Sequence, residues 1–460
     1  MSIEEYRAFI ASRASAPIKS GFDPKAYPDA IKIHQKATLD FALNRGKSAA
    51  FLDTGLGKSF IELEFARQCA EETGKPSLIL TPLAVAGQMV REGQKFGIDA
   101  RQIREQDEVG QGVMVANYER LPKLDPSSFG AVVLDESSIL KSFGGATVTA
   151  LMEAFKNTPF KLAATATPAP NDHMELGQHS QFLNVMPSNE MLARWFIADQ
   201  KQMGKYRLKG HAECPFWQWM ASYSRCATLP SDLGGDDTGY VLPDVFRKLH
   251  VVGADLSKDT DGALFRMPEM SATSFHREKV LTLRERCERA AEIANATDAP
   301  VTVWCERDDE SALLASMIRD AREVSGKMTP EQKESRLLGF VDGDFRVIVT
   351  KPKLAGFGVN WQHCAHAVFA SISFSYEQHY QAVRRSHRFG QGSQVRNDVV
   401  ISDTEATVWQ TILRKSADHD KMKNAMRLAM REAQGYAGLR IAYGDRDKLE
   451  MPKWLLENVQ

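Results

Sequence analysis

Short runs of consecutive apolar residues recur along the chain, separated by segments long enough for helices. Five runs lie in the first half: AAFL at 49–52, SLILT at 77–81, VMVA at 113–116, AVVLD at 131–135 and KLAAT at 161–165. Four lie in the second half: VTVWC at 301–305, RVIVT at 346–350, HAVFA at 366–370 and DVVIS at 398–402. Apolar strands that alternate with helices are typical of parallel sheets covered on both faces. The pattern predicts an α/β fold with two similar lobes.

The segment between these lobes, roughly 171–270, breaks the pattern. It contains aromatic and Gly/Asp-rich stretches such as SDLGGDDTGYVLPD, which are typical of an insertion that ends in a linker. The stretch FWQWMASY at 216–223 has two interpretations, a base-stacking surface for nucleic acid or the core of a small helical insertion. The helical spacing of its aromatic residues favours the core. From about residue 416 the sequence predicts a helical tail.

Composition narrows the class of protein. The chain has 460 residues, enough for two or three domains, with 43% hydrophobic and 25% charged residues, as in globular proteins. No apolar run is long enough to cross a bilayer, so we expect no membrane association. The six cysteines are scattered without a C-x-x-C pair, which suits a reducing cytoplasm. Because the formal net charge is only -1, any surface that binds nucleic acid must be locally basic.

The stretch FLDTGLGKSFIELEFA at 51–66 has the pattern of a phosphate-binding loop between a strand and a helix. Gly55 and Gly57 would let the backbone N–H groups and the helix N-terminus face an anion. Lys58 would place its charge against the β- and γ-phosphates, and the Ser59 hydroxyl would bind Mg²⁺. The full motif has glycine where this chain has Leu52, a departure that weakens the match only slightly.

A second motif, AVVLDESS at 131–138, predicts a strand that ends in two carboxylates. Ligands of open parallel sheets bind at this edge, beyond the carboxyl ends of the strands. Asp135 would hold Mg²⁺ through its water shell, and Glu136 would take a proton from the water that attacks the γ-phosphate. Together with the loop, about 75 residues earlier, the pair predicts a nucleoside triphosphate hydrolase.

With these motifs in place, the chain resembles superfamily 2 helicases over most of residues 28–405. The motifs follow that family's order: HQ at 34–35, TGLGKS at 54–59, LTPLAV at 80–85, ANYERL at 116–121, DESS at 135–138, TATPAPN at 165–171, GFGVN at 356–360 and QAVRRSHRFGQ at 381–391. The last has the Q-x3-R-x2-R-x-G-Q spacing of the Swi/Snf-like branch. The set DESS, TATPAPND and FWQWMASYSR resembles compact helicases of bacteriophages and prophages.

The resemblance implies two tandem RecA-like parallel-sheet lobes with a helical insertion between them, and ATP bound in the cleft. The expected divisions are an N-terminal extension (1–27), lobe 1 (28–180), the insertion and linker (181–270), lobe 2 (271–415) and a helical tail (416–460). It also implies that Arg385 and Arg388 act as arginine fingers across the cleft, because a planar guanidinium suits the charge spread over the γ-phosphoryl group. Gln381 and Gln391 would orient the motif, and Arg384 and His387 would be solvated neighbours.

Further roles follow from the same resemblance. Gln35 would read the edge of adenine, and Thr54 lies in the phosphate-binding loop. Gly358 and Asn360, together with Gly356, match a motif that contacts both nucleotide and strand backbone. Thr165 and Thr167 match the motif that couples hydrolysis to lobe movement. The residues expected to meet the phosphates of the tracked strand are Thr81, Pro82, Asn117 and Tyr118.

The predicted function is an ATP-dependent DNA translocase or helicase that uses ATP and Mg²⁺. Its expected partners are DNA, duplex or forked, and phage or host replication or recombination proteins, in the cytoplasm of a bacterial host if phage-encoded. Two alternatives stay open: an RNA helicase, and an ATP-gated clamp that binds nucleic acid and recruits partner proteins with little motor activity.

Overall fold

The structure is a computed structural model. It describes residues 20–82, 85–141, 145–198, 206–255, 272–355 and 360–435, and the statements below concern these residues. Two separate parallel sheets, each accompanied by helices, account for most of the described chain. This arrangement confirms the predicted α/β class with two tandem parallel-sheet lobes.

Lobe 1 is built on a seven-stranded sheet with the order β3-β4-β2-β5-β6-β1-β9, in which all neighbours are parallel. The strands are β1 (Lys47–Leu52), β2 (Ser77–Thr81), β3 (Ala100–Gln102), β4 (Val113–Asn117), β5 (Ala131–Asp135), β6 (Phe160–Ala164) and β9 (Ser224–Ala227). The central strands β2 and β4 are buried along their whole length, as their continuous apolar sequences require. The predicted strands 49–52, 77–81, 113–116, 131–135 and 161–165 all lie within this sheet to within a residue.

Helices cover both faces of the first sheet. Helix α1 (Ile33–Arg45) precedes β1, and the crossover helices are α2 (Lys58–Thr73), α3 (Ala86–Lys95) and α4 (Ala146–Ala154). Helix α2 is the most deeply buried, with Ile61, Leu63, Phe65 and Ala66 all in the core. Because α2 follows β1 directly after the loop 53–57, its N-terminus lies at the carboxyl edge of the sheet.

The stretch predicted as an insertion contains three helices and a small antiparallel ribbon. They are α5 (Leu176–Phe182), α6 (Ser188–Trp195), β7 (Phe196–Ala198), β8 (Tyr206–Leu208) and α7 (Glu213–Tyr223). Phe216, Trp219 and Met220 of α7 are buried in the lobe 1 core, which confirms the core interpretation of the aromatic cluster.

Two strands of the predicted insertion belong to the large sheets. Strand β9 pairs in parallel with β1, and β10 (Phe246–Val252) pairs in parallel with β15 (Arg396–Ser402) of the second sheet. Within the segment predicted as a helical insertion and linker, 181–270, these residues thus form strands of the two lobes. The sequence SRCA of β9 is too short to stand out, and its partner β1 lies about 175 residues earlier, so no local pattern revealed the pairing.

Lobe 2 is built on a six-stranded sheet with the order β10-β15-β14-β11-β13-β12, again with all neighbours parallel. Its further strands are β11 (Val301–Trp304), β12 (Ala321–Val324), β13 (Val347–Thr350), β14 (His366–Phe369) and β15 (Arg396–Ser402). Its helices are α8 (Ala272–Leu281), α9 (Leu283–Asn295), α10 (Asp308–Met317), α11 (Pro330–Asp342), α12 (Pro352–Ala355) and α13 (Tyr376–Val383). Trp304 and Trp361 are fully buried and pack against each other on one face of this sheet.

The last helix, α14 (Ala406–Gly435), spans both lobes. Its 30 residues make it about 45 Å long. Near its start Val408 packs in the lobe 2 core, whereas Met422 and Met426 pack in the lobe 1 core beside α7 and β9. The predicted boundary at 415/416 thus falls inside one continuous helix, because the apolar positions of this helix change partners without a break in helical structure.

No helix within the described ranges is long and apolar enough to cross a membrane. All six cysteines lie in these ranges and are free thiols.

Candidate active site

The loop between β1 and α2 has the backbone shape that the phosphate-binding motif requires. Gly57, at the N-cap of α2, has φ of 78°, and Gly55 has φ of 91°, values that side-chain-bearing residues rarely adopt. A Cβ on Gly57 would lie 2.1 Å from Gln35 Nε2, and one on Gly55 would lie 2.9 Å from Phe389 Cβ. The backbone conformation favours glycine at both positions, and at Gly55 the nearby Phe389 leaves no room for a side chain.

Lys58 is the first residue of α2 and projects back into this loop. Its Nζ donates hydrogen bonds to the main-chain oxygens of Leu52 at 3.0 Å and Asp53 at 3.4 Å. Burial lowers the pKa of the ammonium group, although Glu136 and Asp53 oppose the shift. The ammonium thus lies between the loop and the acidic pair, where it can reach an anion in the cavity.

The two carboxylates stand at the end of β5, as predicted. Asp135 is the last residue of the strand, and Glu136 has a left-handed backbone with φ of 56°, which is uncommon for a residue with a side chain. Burial and the neighbouring Glu136 raise the pKa of Asp135 to about 7. The Tyr118 hydroxyl donates to the Asp135 main-chain oxygen at 2.7 Å, and Gln381 Nε2 donates to Glu136 Oε1 at 2.8 Å. The second lobe therefore reaches the acidic pair directly.

Arg385 and Arg388 follow the C-terminus of α13 and enter the cleft from lobe 2. Arg385 is 8% exposed, and burial with the nearby charge of Arg388 lowers its pKa to about 9. Burial also lowers the pKa of Arg388. Gln391 supports the turn that carries them, because its Nε2 donates to the main-chain oxygens of Gln362 at 2.8 Å and Ser386 at 3.3 Å.

A cavity of about 300 Å³ between the lobes brings most of the predicted site residues together. The predicted residues that line it are Thr54, Gly55, Gly57, Lys58, Ser59, Pro82, Asp135, Glu136, Asn360, Gln381, Arg385 and Arg388. Six further lining residues were not predicted as site residues: Val85, Gln88, Met89, Glu92, Gln362 and Phe389. Phe389 lies within the last motif, so its place beside the arginines could have suggested it. Gln88 and Glu92 lie one turn apart on α3 and carry no motif.

Other predicted residues lie outside this cavity. Gln35 is buried behind Gly57, and its Oε1 accepts a hydrogen bond from the Lys32 main-chain N–H at 3.0 Å. Thr165 Oγ1 accepts from the Thr167 N–H at 3.0 Å, directly after β6. Gly358, with Gly356, lies outside the described residues.

A larger groove of about 1170 Å³ runs beside the cavity and is lined by both lobes. It contains Pro82, Asn117 and Tyr118, three of the four residues expected to meet nucleic acid, whereas Thr81 is buried beneath it. Its basic lining residues are Arg91, Lys95, Arg104, Arg120, Lys141, Lys333 and Lys353. Its acidic ones are Glu119, Glu136, Glu331, Glu334 and Glu377. The basic lining residues outnumber the acidic ones by seven to five.

The expectation that Arg384 and His387 are solvated neighbours is wrong. Arg384 Nη2 donates to Asp53 Oδ2 in the phosphate-binding loop at 3.1 Å. His387 Nε2 lies 2.8 Å from the main-chain oxygen of Pro243, and its Nδ1 lies 3.3 Å from Arg384 Nη1. Spacing within the motif cannot show this, because Asp53 lies 331 residues away along the chain.

Comparison with known proteins bears on the second lobe. Residues 283–390 match the family model of the helicase conserved C-terminal domain. Among solved structures, a Sulfolobus solfataricus SWI2/SNF2 ATPase core in complex with dsDNA is similar at 15% sequence identity, with a TM-score of 0.41 over 88% of this chain and 96% of that one. No curated protein matches the sequence. The family match agrees with the predicted helicase-like character of lobe 2.

Proposed function

We propose that this superfamily 2 helicase-like enzyme is a DNA-dependent translocase of the Swi/Snf-like branch, which couples ATP hydrolysis to movement of its two lobes along DNA. One observation carries the proposal. The phosphate-binding loop of lobe 1 and the arginines of lobe 2 line the same cavity, so the site is complete only when both lobes contribute. A change in the distance between the lobes therefore changes catalysis, and hydrolysis in turn changes the forces between the lobes.

The residues of the cavity divide the work of phosphoryl transfer. Lys58 and the N-terminus of α2 bind the phosphates. Glu136 accepts the proton of the attacking water, and a carboxyl whose pKa is raised by burial is a stronger base than one in water. Gln381 holds that carboxylate in place from the opposite lobe. Arg385 and Arg388 bind the negative charge that develops on the γ-phosphoryl oxygens.

The residues present fit a magnesium ion. Ser59 and Asp135 both line the cavity, and their hydroxyl and carboxylate oxygens are ligands that Mg²⁺ prefers. Burial and the neighbouring Glu136 raise the pKa of Asp135, and a bound cation would favour its ionised form. When bound, Mg²⁺ supplies charge neutralisation to the β- and γ-phosphate oxygens.

DNA is proposed to bind along the groove beside the cavity. Its basic side chains come from lobe 1, as Arg104 and Arg120, and from lobe 2, as Lys333 and Lys353. Cations on both lobes let a backbone be held by each lobe in turn, as stepwise movement requires. Neutralising one phosphate per cation makes such binding strongly dependent on salt concentration.

The decisive experiment compares the ATPase rate with no nucleic acid, single-stranded DNA, duplex DNA, forked DNA and RNA. Stimulation by duplex or forked DNA well above the other additions supports the proposal. Stimulation by RNA alone would support an RNA helicase, and a slow rate unchanged by every nucleic acid would support the ATP-gated clamp.

A variant comparison tests the groove. Arg104→Ala with Arg120→Ala should reduce the slope of log affinity against log salt by about one to two, because each phosphate contact contributes roughly 0.9. Lys75→Ala is the matched control, because Lys75 is exposed and does not line the groove. Equal slopes in the two variants would place the DNA elsewhere.

A further inference from the structure

Asp53, inside the phosphate-binding loop, is held by donors from three parts of the chain. The Tyr380 hydroxyl donates to Asp53 Oδ1 at 2.5 Å, and Arg384 Nη2 donates to Oδ2 at 3.1 Å, both from lobe 2. Lys423 Nζ of helix α14 donates to Oδ2 at 2.9 Å. Within the loop, the Thr54 N–H donates to Oδ1 at 2.8 Å. We name Asp53, Tyr380, Arg384 and Lys423 the Asp53 latch.

The latch is buried and its charges are matched to hold a carboxylate. Asp53 and Lys423 are each 4% exposed, and the side chain of Arg384 is 21% exposed. Burial alone would raise the pKa of the Asp53 carboxyl, but Arg384 and Lys423 outweigh it and hold that pKa well below its usual range. Two cations thus converge on one buried anion, and removing that anion would leave two like charges facing each other in a poorly solvated region.

Asp53 contacts Lys58 through its main chain and the sequence neighbour of Arg385 through its side chain. Its main-chain oxygen lies 3.4 Å from Lys58 Nζ, and its N–H donates to the Ala227 oxygen of β9 at 2.9 Å. Its side chain is bonded to Arg384, whose neighbour in sequence is Arg385. One residue therefore fixes where the phosphate-binding lysine stands relative to the arginine that arrives from the opposite lobe.

Helix α14 adds a third connection. Val408 near its start packs in the lobe 2 core, while Met422 and Met426, which flank Lys423, pack in the lobe 1 core. This packing holds Lys423 on the same lobe as Asp53, whereas Tyr380 and Arg384 reach Asp53 from lobe 2. The geometry accordingly makes the latch sensitive to lobe position.

We propose that Asp53 is a positioning residue for ATP hydrolysis, which aligns Lys58 with Arg385 when Arg384 of lobe 2 and Lys423 of helix α14 both engage it. This inference rests on the proposed function, since it assigns the latch to the same ATPase site. It also gives α14 a direct part in turnover, beyond packing.

The test compares Asp53→Asn, Lys423→Met and the double variant. Each single variant should lower kcat by about tenfold with KM for ATP changed less than about twofold, because phosphate binding by the loop persists while the alignment of Arg385 is lost. The double variant should be no slower than the slower single variant, because the two residues act through one contact.

Arg431→Gln is the matched control. Arg431 lies on the same helix and pairs with Asp232 of lobe 1 at 2.7 Å, away from the ATP site. It should keep wild-type kcat while losing an ion pair of the same helix, one in which the Arg431 side chain is half exposed. The proposal would be overturned if the kcat losses multiply in the double variant, or if Arg431→Gln loses as much kcat as the latch variants. It would also be overturned if the latch variants have a lowered melting temperature but an unchanged kcat. If Asp53→Asn does not fold, the kcat of Lys423→Met, which keeps the Asp53–Arg384 pair, is compared with that of Arg431→Gln and tests the proposal by itself.

Amide hydrogen exchange separates this inference from the proposed function. In the nucleotide-free protein, Lys423→Met should speed exchange in the segment 51–60 by at least about fivefold, and Arg431→Gln should not. This measurement needs no ATPase activity. If Lys423→Met speeds exchange but the wild-type protein has no ATPase activity, the proposed function is refuted and the latch stands. If Lys423→Met leaves exchange unchanged and the wild-type protein hydrolyses ATP, the latch alone is refuted.

Discussion

Asp53 and Asp135 stand at the same edge of the lobe 1 sheet, yet their surroundings have opposite electrostatic character. Asp53, directly after β1, is contacted by two cations and a tyrosine hydroxyl, which hold its pKa far below the usual range against the effect of burial. Asp135, the last residue of β5, lies beside Glu136, and burial with that neighbour raises its pKa to about 7.

The difference shows how one sheet edge supplies two kinds of carboxylate. Asp53 has its charge satisfied within the protein and acts as a fixed point of the structure. Asp135, buried beside a second carboxylate, is disfavoured as an anion in the nucleotide-free protein, which suits a group whose charge a bound cation would stabilise. Lys58 lies between them and is attracted to both. Variants of the residues around the two carboxylates therefore test whether this division of roles is correct.

The largest effect is expected for Lys58→Ala. This change removes the cation that both carboxylates attract and that the phosphates require, so ATP hydrolysis should fall below detection, a loss on the order of 1,000-fold or more. ATPase rates with saturating DNA measure it, with Lys75→Ala as control. Turnover near the wild-type rate in Lys58→Ala would contradict the phosphate-binding role of the loop.

Glu136→Gln should stop turnover while leaving nucleotide binding intact. The amide cannot accept the proton of the attacking water, a loss of about 10²–10⁴-fold, but it can still accept the hydrogen bond from Gln381. Asp135 remains to hold the metal. Fluorescent ATP-analogue binding and ATPase rates measure the two effects separately. If binding disappeared together with turnover, the proposed roles of Asp135 and Glu136 would have to be exchanged.

Arg385→Lys should lower kcat by about 100-fold with a much smaller change in ATP affinity. Lysine keeps the charge but loses the bidentate fork that serves the transition state. The slope of DNA affinity against salt should stay unchanged, because this residue lines the ATP cavity. A shallower slope would show that Arg385 contacts DNA.

The sequence predicts those parts of the site whose residues lie close to a recognisable strand or motif along the chain. The loop 53–57, Lys58 and the pair at 135–136 each follow a buried strand within a few residues, so spacing and strand pattern suffice to find them. Gln381, Arg385 and Arg388 were found because their motif is contiguous, although the structure alone shows that they meet Glu136 and Lys58 in one cavity.

The latch escaped prediction for a physical reason. Its three contacts with Asp53 join residues 327, 331 and 370 positions apart, and no local pattern records which cation a buried carboxylate will meet. Arg384 differs from Arg385 by one position, yet one binds the loop and the other lines the cavity. Strand β9 was missed likewise, since four residues at a sheet edge carry too little pattern.

The smallest expected effect concerns stability and returns to the two carboxylates. The folded protein holds a proton on Asp135 up to about pH 7, whereas its ordinary pKa is 3.8, so the carboxyl costs stability as pH rises from about 4 to 7. Asp135→Asn should therefore stabilise the nucleotide-free protein at pH 8 by at least about 1 kcal/mol, or roughly 2–4 °C in melting temperature. At pH 5 the gain should be smaller.

Asp53→Asn is the opposing control for that measurement. The pKa of Asp53 is depressed by folding, so its contribution is present above its ordinary value of 3.8 and is lost only as pH falls toward the folded pKa. Its replacement should lower the melting temperature at pH 5 and at pH 8 alike, because Arg384 and Lys423 are left without their anion. Thermal unfolding of both variants at the two pH values is the measurement. Shifts of the same sign at pH 8 would mean that the two carboxylates do not differ in the way their neighbours indicate.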